Sequence, residues 1–231
     1  MKSAVYGGEN DYPLLTWKLL ERTHSKYLSE EPRDAIYKTS LKLIEDNWND
    51  LTELSNSLGF LMLTWNSAFY RYGSFDYDLI QKCLVKNKGK LDNFRQREIL
   101  SLKNNEKEEI GRIYKDLLHS LAAKGRNGGK NEGKVAYSPV SVAKALHLLC
   151  PGFFPLWDNS IAETYGCKWG SADTSFENYW QFMMKSLMQV TNLSEQKNLP
   201  ITLRNSGILK LIDEYNCILF ATEHKSDKHR S

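Results

Sequence analysis

Ser141, Lys144 and His147 stand three residues apart in the run SPVSVAKALHLLCPGFFPLWDNSIAETYG, and Asp158 follows further along it. A hydroxyl, an amine, an imidazole and a carboxylate can move protons, attack carbon or steady a developing charge. Spacing of three on a helix places Ser141, Lys144 and His147 on one stripe. Asp158 precedes a second helix, where a carboxylate accepts backbone N–H bonds. The sequence leaves two readings of Asp158 open, a helix cap and a catalytic carboxylate. It leaves two for Lys144 as well, a solvated lysine and a contact in a site.

The elements that must position these groups are legible around them. Ser138 caps a helix and Pro139 begins it. Val142, Leu146 and Leu149 form its apolar seam, and Pro151-Gly152 stops it. Phe153, Phe154, Pro155, Leu156 and Trp157 make an apolar turn that folds the chain back on itself. Asp158 then opens a helix through Ile161, Ala162 and Tyr165. This geometry predicts that Lys144 or His147 lines the same cleft as Asp158, with Ser141, Trp157 and Asn159 as further binding candidates.

The rest of the chain reads as helix. Apolar residues recur at helical spacing over 12–28, 32–48, 58–73, 74–87, 91–103, 105–123, 173–190 and 200–220. Gly73 is expected to end the third of these, Ser74 or Asp76 to cap the fourth, and Asp173 or Thr174 to cap the seventh. Period-2 alternation is nearly absent, and Cys217–Phe220 is the single candidate strand. The expected fold is therefore all-α, a multi-helix bundle of about ten helices. The aromatic segment LTWNSAFYRYGSFDYD offers faces for stacking on bases, but its spacing favours core packing, with Trp65 and Phe69 inward together.

Composition narrows the classes. Hydrophobic residues make up 41% of the 231-residue chain and aromatics 12%, enough for a sizeable core. We expect a single globular unit, with possible lobes 1–123 and 135–221 joined by the segment 124–134. Lysine and arginine number 31 against 28 acids, a net charge of +3, too balanced to demand a nucleic-acid partner. The four cysteines, at 83, 150, 167 and 217, form no CxxC pair, and no two histidines stand at ligand spacing, so no metal or cofactor is expected. No apolar run approaches the roughly 20 residues of a membrane span. No membrane association and a reducing, cytoplasmic setting are the expectation.

The segment KGRNGGKNEGK, 124–134, has four glycines and no apolar side chain, which predicts a mobile surface loop. Lys124, Arg126, Lys130 and Lys134 make it a candidate for contacting DNA phosphates. Within it, GGKNEGKV fits the glycine–lysine spacing of a phosphate loop but has Val135 where a hydroxyl should hold magnesium. A helix precedes it where a strand is required, so that reading is rejected.

The run SVAKALHLLCPGFFPLWDNSIAETYG resembles the segment after the hairpin in the helix-hairpin-helix DNA glycosylase superfamily. The shared features are a helix, a proline close to an aspartate, and a helix after it. They cover about thirty residues. The resemblance implies an all-α fold, DNA as partner, base flipping, and cleavage of the bond between a base and its sugar. It assigns to Asp158 the support of positive charge on the sugar and the activation of the nucleophile. Bifunctional members add a lysine that forms a Schiff base. Here Ser141 stands near that position and Lys144 lies one turn further on, while GKVAYSPVS replaces the glycine-rich hairpin. The implied activity is hydrolysis with water as nucleophile, assisted by Asp158 with Lys144 nearby. The alternative is a non-enzymatic helical module that binds a nucleotide, a nucleic acid or a protein. The cysteine tail that holds an iron–sulfur cluster in some members has no counterpart.

Overall fold

A computed structural model describes residues 12–30, 33–71, 73–125, 132–204 and 206–220. It is 70% helical and all-α, with ten helices among the described residues. These are α1 (Trp17–Glu30), α2 (Arg33–Asp46), α3 (Leu51–Trp65), α4 (Ser67–Tyr70), α5 (Tyr77–Arg95), α6 (Lys107–Ser120), α7 (Pro139–Leu149), α8 (Asn159–Thr164), α9 (Ser175–Ser194) and α10 (Ile208–Phe220). No described helix is long and apolar enough to cross a membrane.

Caps set several of the helix starts. Asp50 accepts from the amides of Thr52 and Glu53 before α3, and Asp76 from Leu79 before α5. Ser138 Oγ accepts from the Ser141 amide at 3.1 Å, and Pro139 sits in the first turn of α7. Thr174 precedes α9, but its side chain bonds back to Ser171 and caps nothing.

The expected helices over 74–87 and 91–103 are instead one helix, α5, followed by short 3-10 turns at Ile99–Ser101 and Asn104–Glu106. Packing carries α5 through Asn87–Gly89. Ile80, Leu84 and Leu91 are all buried, and Asn87 Nδ2 donates to the Cys83 carbonyl and to Asp116 Oδ2, each at 3.0 Å. The expected helix over 58–73 begins earlier and breaks at Asn66. There the side-chain amide donates to Ser141 Oγ at 2.8 Å and Ser138 Oγ at 3.0 Å. Cys217–Phe220 lies within α10 and is helix, not strand.

Gly73 does not end a helix but belongs to a small antiparallel sheet. Strands β1 (Gly73–Ser74), β2 (Ala123–Gly125) and β3 (Val135–Ala136) lie in that order, with Gly73 opposite Gly125 and Ala123 opposite Ala136. A Cβ on Gly73 would sit 2.8 Å from the Ala123 methyl, so the close approach requires glycine. The two ends of the basic segment are thus paired, with the Gly125 amide donating to the Lys134 carbonyl at 2.9 Å. Its centre, 126–131, and with it Arg126, Lys130 and the expectation of mobility, lies outside the described residues.

Most buried apolar side chains form one connected cluster from Tyr12 to Phe220, shared by residues on both sides of the basic segment. Helix α7 runs through it, with Val142, Ala143, Ala145, Leu146, Leu148 and Leu149 fully buried. It packs against α2, α3, α6 and α9, while α10 packs against α1 and α8. This arrangement leaves a gap between α10, the start of α8 and the exposed edge of α7.

Candidate functional site

That gap is a cleft of about 380 Å³. Its walls include Tyr27 of α1, Tyr37 of α2, Trp65 of α3, Ser67 of α4, Lys144 of α7, Lys210 and Asp213 of α10, and the Trp157-Asp158 entry to α8. Residues far apart in sequence meet here because α7 packs against four other helices and α10 packs against α1 and α8.

Asp158 opens α8, as its place before the helix predicts, with Oδ1 accepting from the Ile161 amide at 2.9 Å. Its carboxyl is pushed above the ordinary aspartate value, chiefly by burial. The Ile161 amide bond pulls it down, nearby Asp213 raises it further, and Lys144 offsets part of the rise. Asp158 is only partly buried and lines the cleft, so one carboxylate both caps a helix and faces a cavity.

Lys144 also lines the cleft. Its Nζ donates to the Trp65 carbonyl at 2.8 Å and sits 5.8 Å from the Trp65 ring centroid. The acceptor is at the C-terminal end of α3, where carbonyls lack helical partners and favour a cation. Trp65 is partly buried against the core and stacks on Tyr37, with ring centroids 5.9 Å apart and planes 12° from parallel. Trp157 forms another aromatic wall. It is nearly fully buried, and its Nε1 has no hydrogen-bond partner among the described residues.

Two members of the polar stripe stand outside the cleft. His147 is fully buried between α2 and the apolar turn, with Nδ1 2.8 Å from the Phe154 carbonyl and Nε2 2.9 Å from the Tyr37 hydroxyl. Burial lowers its pKa to about 4. Ser141 is also fully buried, 2.9 Å from the Tyr70 hydroxyl, which lies 2.8 Å from the Leu121 carbonyl. The carbonyl only accepts, so Tyr70 donates to it, Ser141 donates to Tyr70, and Asn66 donates to Ser141. Ser141 and His147, expected from the sequence to bind a ligand, therefore do not line this cleft. Their stripe faces α2, α3 and α4, and α7 exposes too little surface for three residues of that stripe to reach the cleft.

Asn159 is exposed and does not line the cleft. Lys124 and Lys134 are exposed but belong to the small sheet and its turn, away from the cleft lining. Lys124 Nζ reaches Asp76 Oδ2 at 2.9 Å, and this bond holds the Asp76 carboxyl below its usual range.

Tyr27, Tyr37, Lys210 and Asp213 are site residues that sequence reasoning missed. Lys210 is buried, yet its Nζ donates to Asp213 Oδ2 at 2.9 Å and to the Tyr27 hydroxyl at 3.2 Å. It lies 4.4 Å from the Tyr27 ring centroid and 4.9 Å from that of Tyr37. Burial works against its charge, but Asp213 and Glu214 outweigh it and hold the ammonium above the ordinary lysine value. A signal was present: Lys210, Asp213 and Glu214 interrupt an otherwise apolar helix, and charged residues are seldom buried unless paired.

The described lining of the cleft thus combines aromatic faces, two carboxylates and two ammonium groups. Such a site can hold a flat ring, contact its edge and stabilise charge beside it. No protein-family model, curated protein or solved structure matches the chain.

Proposed function

We propose that the cleft receives a base turned out of DNA and that Asp158 assists hydrolysis of the bond joining that base to its sugar. The observation that carries this reading is the placement of Asp158. Its carboxyl is fixed by the Ile161 amide and shares a cleft with Trp65, Trp157 and Lys144. Aromatic walls give a base stacking faces, and a flipped base needs such a pocket.

In the proposed reaction the C1′–N bond breaks and its electron pair stays with the base nitrogen. The ionised Asp158 carboxylate stabilises the positive charge that develops on the sugar. A water oxygen bonds to C1′, its proton passes to Asp158 and then to the released base, and the carboxylate is restored. The upward push on the Asp158 pKa makes it a better proton acceptor than an exposed aspartate. Lys144 is engaged with the Trp65 carbonyl. Its role here is to hold the Trp65 wall and balance Asp158, and water is the nucleophile.

DNA is the proposed partner, with Lys124, Arg126, Lys130 and Lys134 supplying phosphate contacts outside the cleft. The proposed setting is a reducing cytoplasm, which suits four free cysteines, three of them buried. A non-enzymatic nucleotide-, nucleic-acid- or protein-binding module on the same scaffold is the second reading. It is favoured by the structural bonds that Asp158 and Lys144 already make.

The test is base release from a panel of duplexes, each carrying one damaged or mismatched base, read by mass spectrometry of the free base. Release from at least one duplex supports hydrolysis. Binding without release from any of them supports the second reading.

A further inference from the structure

We infer that Lys210 and Asp213 form a subsite for a lactam edge, a ring N–H beside a carbonyl, on the heterocycle that occupies the cleft. This inference rests on the reading of the cleft as a base-binding site and names the kind of base it takes.

The two side chains stand three residues apart on α10, both line the cleft, and they touch at 2.9 Å. An ammonium has three N–H donors and no acceptor. Two of the Lys210 donors go to Asp213 Oδ2 and the Tyr27 hydroxyl, and Glu214 Oε1, at 3.8 Å, is beyond hydrogen-bond reach. One donor remains for an occupant. A carboxylate oxygen accepts, and Asp213 Oδ1 makes no hydrogen bond with the described residues. The pair therefore offers a fixed donor beside a fixed acceptor.

An occupant edge must supply the converse, an acceptor beside a donor. A lactam does so with its carbonyl toward Lys210 and its N–H toward Asp213. The Tyr27 and Tyr37 rings beside Lys210 select a flat group. The charge balance agrees. Among the described lining residues Lys144 and Lys210 are matched by Asp158 and Asp213, which favours a neutral ring over a phosphate. A lactam also suits bond cleavage, because the electron pair left on the departing base spreads onto the carbonyl oxygen facing the Lys210 ammonium. Lys210 stabilises that charge without giving up its proton.

The experiment is calorimetric titration of the full chain with free hypoxanthine and uracil. The comparison compounds are the same bases methylated at every ring nitrogen bonded to a carbonyl carbon, N1 of hypoxanthine and both N1 and N3 of uracil. Loss of one charge-assisted hydrogen bond and a steric clash predict binding at least about ten-fold weaker for the methylated forms. Asp213→Asn, checked for folding by circular dichroism, is expected to weaken hypoxanthine binding by a similar factor. Should that variant not fold, the methylated pairs decide alone. Equal binding of methylated and unmethylated bases, or no binding of either unmethylated base, overturns the subsite. The outcomes stay separate from those of the hydrolysis reading. Discrimination without base release from any duplex keeps the subsite and removes hydrolysis, and release without discrimination does the reverse.

Discussion

The Tyr37 hydroxyl donates to Nε2 of His147 at 2.9 Å, and this direction follows from the other side of the imidazole ring. Nδ1 faces the Phe154 carbonyl at 2.8 Å, which only accepts, so Nδ1 carries the proton. Burial keeps the ring neutral, leaving Nε2 as a bare acceptor. One cleft-wall tyrosine is thereby locked to the turn that delivers Asp158.

This lock predicts acid sensitivity. The His147 pKa falls from 6.5 to about 4 on folding, so the unfolded chain binds the proton more readily. The stabilisation is present above pH 6.5 and is lost as pH falls toward about 4, a change of roughly 3 kcal/mol for this fully buried ring. Urea midpoints measured across that window should fall for the native chain more steeply than for His147→Gln. Parallel curves contradict the assignment.

Ser141 gives a prediction of the opposite kind. Its hydroxyl links Asn66 and Tyr70, so Ser141→Ala leaves buried donors and acceptors short of a partner and should cost about 1–3 kcal/mol. Base release, assayed well below the unfolding temperature, should be unchanged. A loss of turnover at native stability would place Ser141 in the chemistry after all.

The contrast between Ser141 and Asp158 shows how far the sequence could be read. Both caps, Ser138 and Asp158, follow from short-range rules, and the structure has them where those rules place them. The side of α7 that reaches solvent depends on what packs on it, and that is tertiary information. Ser141 and His147 share a stripe with Lys144, yet Asn66 and Tyr37 bury the first two. The partner of Lys210 was hidden for the same reason, although the place of Lys210 in an apolar helix was a signal. That partner, Tyr27, is 183 residues away, and only folding brings α1 against α10. Trp65 read as core, and it is core on one face and cleft wall on the other. The short strands have no alternation to announce them, and β1 is held by pairing with a segment far away in sequence.

DNA binding, as proposed, should be salt-sensitive. Replacing Lys124, Arg126, Lys130 and Lys134 together by alanine should weaken duplex binding and flatten its salt dependence by about 0.9 in log–log slope for each phosphate no longer neutralised. Lys124 already pairs with Asp76, which reduces its share. An unchanged slope, measured by fluorescence anisotropy, removes this segment from the interface.

Asp158→Asn tests the central claim most directly, because the two roles of the carboxylate separate in this one variant. Asparagine caps a helix almost as well, so stability should change by less than about 1 kcal/mol. The sign of any pH dependence is fixed. A carboxyl raised by burial contributes stability below its unfolded pKa and loses it as pH rises through the folded one, so the native chain should gain on the variant toward acid. A neutral amide neither stabilises a sugar cation nor takes a proton from water. The decisive measurement is single-turnover base release by Asp158→Asn on a duplex the native chain cleaves, beside its thermal melt. The account predicts a native-like melt with release slowed at least about a hundred-fold. A native-like melt with undiminished release would contradict it and leave Asp158 as a cap alone.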